Sequence, residues 1–276
     1  MQWRGRQAAL LVLASALLLV SGARAAPPPT QPIPREPDAL AQSLVETSDD
    51  LAAAIGRWRP KSAPAPDDVV LLALYQQRIY RVLAPNMQLS RATLKLLPRR
   101  LAVVAADLLA AHRELYRLTP PLTTHKIKTG PALPASVLLD AYRAAQRRFK
   151  VPWKVLAAVN FVESKFGKLR NASAAGAQGP MQFMPATWRR YGLGGNVHDA
   201  RDAILGAANY LHASGAPRDL KGALHHYNPS GSYVDAVLRY ARRIASERTM
   251  FFALYNWQVF VKTARGDRRV TGPGLP

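Results

Sequence analysis

Glu163 is the residue whose type and position most need explaining. It lies in the segment Pro152 to Phe166, where Val155, Leu156, Val159, Val162 and Phe166 recur at helical spacing. That spacing puts Glu163 on the apolar stripe, where an unpaired carboxylate is costly. Two readings follow. Burial can keep the carboxyl neutral, raising its pKa to a value that suits a general acid near neutral pH. Alternatively, Glu163 can sit in a buried ion pair with one of the many Arg of the chain. No other Glu lies between Glu114 and Glu247, and Asp199, Asp219 and Asp235 read as helix-start or surface positions. That shortage of alternatives favours the neutral acid.

Past Gly167 the sequence stops reading as a helix. Asn171 to Pro180 is rich in small residues, and Gly176 and Gly179 allow backbone to approach a ligand closely. Met181, Gln182, Phe183 and Met184 then join an amide to flexible and aromatic surface. That mixture suits a sugar ring, which has hydroxyls at its edge and C–H groups on its faces. A simple buried loop is the plainer alternative. Farther on, Tyr227 and Asn228 precede Pro229, where Asn228 could serve as a helix cap.

The elements that must position these residues are helical. The chain has 276 residues, 49% of them hydrophobic, and Ala and Leu supply most of that fraction. The predicted fold class is mainly α: a helical catalytic domain preceded by a small helical region and followed by a short C-terminal β-hairpin. Residues 1–25 read as a signal peptide, with Arg4 and Arg6 before the apolar run Ala8 to Val20 and an Ala-Arg-Ala exit. That run is short for a membrane span, so no transmembrane segment is expected after cleavage. Residues 26–37 form a Pro-rich linker. Residues 38–118 form a helical region, with one helix starting at Asp67 and another over Arg91 to Leu118 behind a Ser90 cap. Residues 119–133 are a breaker-rich joint, and 134–247 the catalytic domain. The tail, 248–276, carries strands around Gln258 to Val261 and Arg268 to Val270, joined through Gly266 and Asp267.

The formal charge is +21. Outside a cell the polyanions available are cell-wall polymers and lipid head groups, and a positive surface speeds encounter with either. Nucleic acid has the charge in its favour, but no binding motif is present and an export signal opposes it. With no Cys in the chain, disulfides, thiol catalysis and Cys-based metal sites are excluded. The six His show no zinc spacing, so neither metal nor cofactor is expected. Monomer is the default.

Three ordered segments carry a resemblance. Glu163-Ser164-Lys165-Phe166, then Gly176-Ala177-Gln178-Gly179-Pro180-Met181-Gln182-Phe183, then Tyr227-Asn228 resemble the motifs of soluble-type lytic transglycosylases, the SLT domain of the goose-type-lysozyme-like family. Pro180 stands where many members have Leu, and His225 where the third motif usually has Ala. The resemblance implies an enzyme of bacterial cell-wall peptidoglycan, a carbon–oxygen lyase cleaving the MurNAc–GlcNAc β-1,4 bond. Glu163 would act first as acid and then as base, leaving a 1,6-anhydro-MurNAc end. The acetamido group of the substrate would stabilise the cationic centre, unlike the two-carboxylate arrangement of most glycosidases. The resemblance also implies a lysozyme-like fold for the catalytic domain. In it Ser164 would help orient the saccharide or the carboxyl, and Gln178, Met181, Gln182 and Phe183 would line the sugar subsites. Tyr227 and Asn228 would face Glu163 across the cleft as part of the substrate site. The alternatives are a hydrolytic muramidase on the same fold and a non-catalytic cell-wall-binding protein. The protein would be secreted, to the cell envelope or beyond.

The charge makes one expectation independent of the chemistry. If electrostatics holds the protein on walls, co-sedimentation with purified peptidoglycan weakens between 0.1 and 1 M salt, as the screening length falls from about 10 to about 3 Å. Salt-insensitive sedimentation would instead assign the binding to saccharide contacts.

Overall fold

The computed structural model describes residues 25–59, 61–121 and 127–275. The expected signal peptide lies outside the described residues, apart from Ala25. Among the described residues there are eleven helices and one two-stranded antiparallel sheet, and no helix is long and apolar enough to cross a membrane. The chain is mainly α, as its Ala- and Leu-rich composition predicts.

Proline sets most of the helix starts. The N-terminal helices are α1 (Pro37–Arg57), α2 (Asp67–Leu83), α3 (Met87–Leu96) and α4 (Arg99–Leu118). Pro37 opens α1, while Pro66 and Pro98 occupy the positions just before α2 and α4. A proline has no N–H to lose there, and it biases the residue before it away from helix. Pro98 therefore divides the single helix expected over Arg91 to Leu118. The cap is Asn86, which accepts from Leu89 N at 2.9 Å, and not Ser90. Ser90 is buried inside α3 and donates to Leu83 O.

The remaining helices are α5 (Ala135–Phe149), α6 (Trp153–Ser164), α7 (Pro185–Tyr191), α8 (Ala200–Ala213), α9 (Leu220–Tyr227), α10 (Gly231–Ser246) and α11 (Met250–Asn256). Asp199, Asp219 and Ser230 cap α8, α9 and α10 through their side chains. Helix α6 is the central one, packed on α5, α8, α10 and α11. The tail thus begins with a helix, α11, and its hairpin pairs β1 (Phe260–Thr263) with β2 (Gly266–Arg269). The turn is Ala264-Arg265 rather than the expected Gly266-Asp267, because Thr263 pairs with Gly266.

Two expected connectors are tied down. Residues 26–36 lie against α2, where Arg78 Nη1 donates to Pro29 O and Gln31 O at 3.0 and 2.7 Å. In the 119–133 joint, Gly130 N donates to Lys168 O and Arg170 N to Lys128 O, at 3.0 and 2.9 Å. The joint separates segments of sequence but not of packing, since one continuous apolar core runs from α1 to α11.

A multiple polar link between the N-terminal helices and α10 is made by Asp107 on α4. Arg239 Nη1 donates to it at 2.7 Å, Arg242 donates twice at 3.0 Å, and Arg243 Nε lies 3.0 Å away but off the line of a hydrogen bond. All three Arg belong to α10. Burial opposes ionisation of Asp107, yet the bonds from Arg242 and Arg239 prevail and hold its pKa below the usual 3.8. Its contribution is therefore present above about pH 4 and is lost as pH falls through the depressed folded value. Because Arg239 and Arg242 are partly exposed, Asp107→Asn should cost about 2 kcal/mol at pH 7, on the order of 5 °C in Tm. Thermal melting checks this, and the gap to the wild type should close below about pH 4.

Candidate functional site

Helix α6 carries Glu163 one residue before its end. The stripe inferred from spacing is not what the fold forms. Ala157, Ala158, Asn160 and Phe161 are buried together with Val155, Leu156 and Val159, so α6 is enclosed nearly all round. Besides Trp153 and Lys154 in its first turn, Val162 and Glu163 are its more open positions. The carboxyl is closely surrounded by protein while keeping part of its surface accessible, a geometry in which an acid is both desolvated and reachable.

Tyr233 OH donates to Glu163 Oε1 at 2.7 Å. Glu163 makes no ion pair among the described residues, so the Arg-paired alternative does not form. Burial raises its pKa from 4.5 to about 7, against the opposing effects of the Tyr233 bond and the charge of Lys165. Tyr233 itself is pushed well above its ordinary value, first by burial and then by the Glu163 charge, so it remains a donor. Sequence reasoning missed Tyr233. The available signal was its place on the α10 line Tyr233, Val237, Tyr240 and Ile244, a hydroxyl set among buried apolar positions.

Directly after Glu163 the chain turns sharply. Lys165, Phe166 and Gly167 all have positive φ, at 53°, 63° and 83°. Lys165 N bonds Phe161 O and Phe166 N bonds Asn160 O, closing the helix in the left-handed manner usual for a glycine. Two non-glycine residues in that region store strain beside the carboxylate.

Ser164 holds this end in place. Its hydroxyl donates to Pro180 O at 2.5 Å and accepts from Gly167 N at 2.8 Å. It is 1% exposed, and it fastens α6, with Glu163 next to it, to the 176–184 loop. That loop folds on itself, with Gln178 and Phe183 exchanging backbone bonds at 2.9 Å each way. Gly179 has a φ of 73°, and a Cβ there would lie 1.9 Å from Val197 O, so only glycine fits. Gln182 has a φ of 48° and donates its amide to Gly179 O at 2.9 Å.

Met181 and Phe183, expected to line the sugar subsites, turn inward. Both are buried; Phe183 packs edge-on to Trp188 and Tyr227, with centroids 5.1 and 5.9 Å away. They support the loop from behind, whereas Gln178 and Gln182 are half-buried on it. Tyr227 ties α9 to the same loop, its hydroxyl donating to Met181 O at 2.6 Å. Asn228 ends α9, and the cap of α10 is Ser230, not Asn228. His225 is exposed on α9 beside an open groove shared with Lys221 and Asp235.

Glu114 was counted outside the catalytic domain, but α4 brings it to the start of α10. There it accepts from Ser232, the neighbour of Tyr233, and pairs with Arg117. No group of three or more His, Cys, Asp or Glu that could hold a metal occurs among the described residues.

The enclosed carboxyl, the folded-back loop and α9 lie within one stretch that comparison places in a known class. Residues 140–247 match the family model described as Transglycosylase SLT domain. This part of the chain is thus similar to transglycosylase SLT domains, in agreement with the motif resemblance. The match runs from within α5 to the end of α10 and leaves α1 to α4, α11 and the hairpin outside it. No curated protein and no solved structure matches the chain.

The raised pKa has a stability consequence of definite sign. Folded Glu163 holds its proton to about pH 7, against 4.5 for the ordinary carboxyl. Stability therefore falls as pH rises through that window, and the ionised form costs on the order of 3 kcal/mol. Glu163→Gln cannot ionise, so it should melt several degrees above the wild type at pH 8 and close to it at pH 5. Equal melting temperatures at pH 8 would show that the folded protein does not hold the carboxyl protonated.

Proposed function

We propose that the protein is an exported lytic transglycosylase that cleaves the MurNAc–GlcNAc β-1,4 bond of peptidoglycan, with Glu163 as acid and then base. The observation that carries this reading is an enclosed carboxyl whose pKa burial raises to about 7, at the end of a buried helix inside the stretch that matches the SLT domain model.

In the reaction Glu163 gives its proton to the glycosidic oxygen as the C1–O4 bond breaks. The acetamido oxygen of the substrate supports the positive charge developing at C1. Glu163, now a carboxylate, takes the proton of the muramyl 6-hydroxyl, and O6 closes on C1. One C–O bond breaks, one forms, and no water is consumed. Tyr233 would hold the carboxyl in one orientation through both steps and stabilise its ionised form between them. Gln178 and Gln182 would meet saccharide hydroxyls, with Tyr227 and Asn228 on the α9 side. Met181 and Phe183 would act through the loop they support.

The test is mass spectrometry of muropeptides released from purified peptidoglycan by the wild type and by Glu163→Gln. Products one water lighter than hydrolytic ones, with turnover lowered at least about 10³-fold in the variant, are expected on the size of general acid–base effects. Reducing-end products would make the enzyme a muramidase. Full activity in Glu163→Gln would remove Glu163 from the reaction.

A further inference from the structure

On the other flank of α6 lies a cavity of about 120 Å³, bordered by α2, α4, α10 and the C-terminal hairpin. Phe161 and Lys165 form its α6 side. Phe161 leaves the helix roughly 160° around the axis from Glu163, so this space is distinct from the acid's surroundings. It is well below the roughly 300–1,000 Å³ of pockets that enclose a whole organic ligand.

Its polar lining is unusual in kind. Trp257 Nε1 and Tyr80 OH are buried with no hydrogen-bond partner among the described residues, and the two residues are only 4% and 3% exposed. Their rings lie 5.7 Å apart. An indole N–H can only donate, and an unpaired buried donor calls for a partner that the fold itself does not supply. Around them stand three cations, Arg81, Lys165 and Lys262. Lys262 is spent on Tyr116 O and Thr119 O. Lys165 Nζ bonds Phe161 O at 3.0 Å, leaving further N–H groups. The one carboxylate in the lining, Asp267, is taken by Arg81. Burial first, and then the charge of Arg81, push Lys165 down to about 8. The same two causes, in that order, push His112 down to about 3. Positive charge is crowded here without enough negative charge to match it.

We propose that this cavity binds a small oxyanion, a carboxylate or phosphate group, received by Lys165 Nζ, Trp257 N–H and Tyr80 OH. A water could accept from the unpaired donors, but only an acceptor-rich anion also balances the surplus cations. The group is either a free ion or a carboxylate carried on the peptide of a bound glycan strand. Only the second source rests on the function proposed above.

The test follows the indole N–H resonance of Trp257, identified by its loss in Trp257→Phe, in ¹H–¹⁵N spectra of the full chain. Sodium phosphate and sodium acetate are titrated against chloride at constant ionic strength. Glu163→Gln protein is then titrated with a peptide-bearing muropeptide and with a peptide-free saccharide of the same length. A saturable shift with phosphate or acetate is expected, weakened at least tenfold in Lys165→Met. Should that variant melt early, Lys165→Gln takes its place. A shift with the peptide-bearing fragment alone would also uphold the site and assign its anion to the strand. An unmoved resonance, a shift that chloride reproduces, or one that Lys165→Met leaves undiminished would overturn the site. None of these readings depends on turnover, so a failed glycan reaction and a failed anion site are told apart.

Discussion

The bond from Tyr233 to Glu163 joins residues 70 positions apart, and it holds only if α10 is fixed against α6. Two devices fix it. From the α6 side, Phe161 packs edge-on to Tyr240 with centroids 4.8 Å apart. From the other side α4 presses on α10, with Asp107 collecting three of its Arg and Glu114 holding Ser232 at its first turn. A hydrogen bond to a buried carboxyl is short-ranged and directional. A slip of α10 by a fraction of an ångström would lengthen it and change the protonation equilibrium it governs. The N-terminal helices thus act on the site mechanically, without contributing a residue bonded to Glu163.

The 176–184 loop depends on the same helix end from below. Ser164 reaches Pro180 O, Tyr227 reaches Met181 O, and Gln182 folds its own amide back onto Gly179. Met181 and Phe183 fill the space behind. The positive φ values at Lys165, Phe166 and Gln182 are conformations that isolated residues of these types avoid. They persist because hydrogen bonds on both sides over-determine the backbone, which is how strain is retained where geometry has to be kept.

Much of this arrangement was legible in the sequence, though not always for the right reason. A lone Glu among apolar residues did point to a carboxyl with a raised pKa. The stripe argument behind it assumed one buried face, whereas α6 is enclosed by four helices, and past its first turn only Val162 and Glu163 stay partly open. Periodicity has little to say about a helix surrounded on all sides. The motif segments marked the right loops, but residue type misled on direction. Ser164, Met181 and Phe183 look like contact residues and are interior ones. Which face of an irregular loop turns inward is decided by long-range bonds that local sequence does not encode. Tyr233 escaped for the same reason, since its partner comes from another helix. The break at Pro98 and the pinned segment 26–36 divide similarly: the first was readable from a proline within a helical stretch, while the second needs Arg78 across 47 and 49 residues.

A stretch matching an SLT domain is therefore less than the unit that does the work. The match ends with α10 and omits α4 and α11, yet these cover sides of α10 and α6 that would otherwise meet water. Desolvation is the largest influence raising the Glu163 pKa, and it depends on everything that keeps water from the end of α6. Loosening the outer helices would return solvent to the carboxyl, lower its pKa, and remove the proton a general acid must carry near neutral pH. On these grounds residues outside the match are conditions of the acid's chemistry, since a carboxyl's proton affinity is a property of its enclosure and not of the motif that contains it.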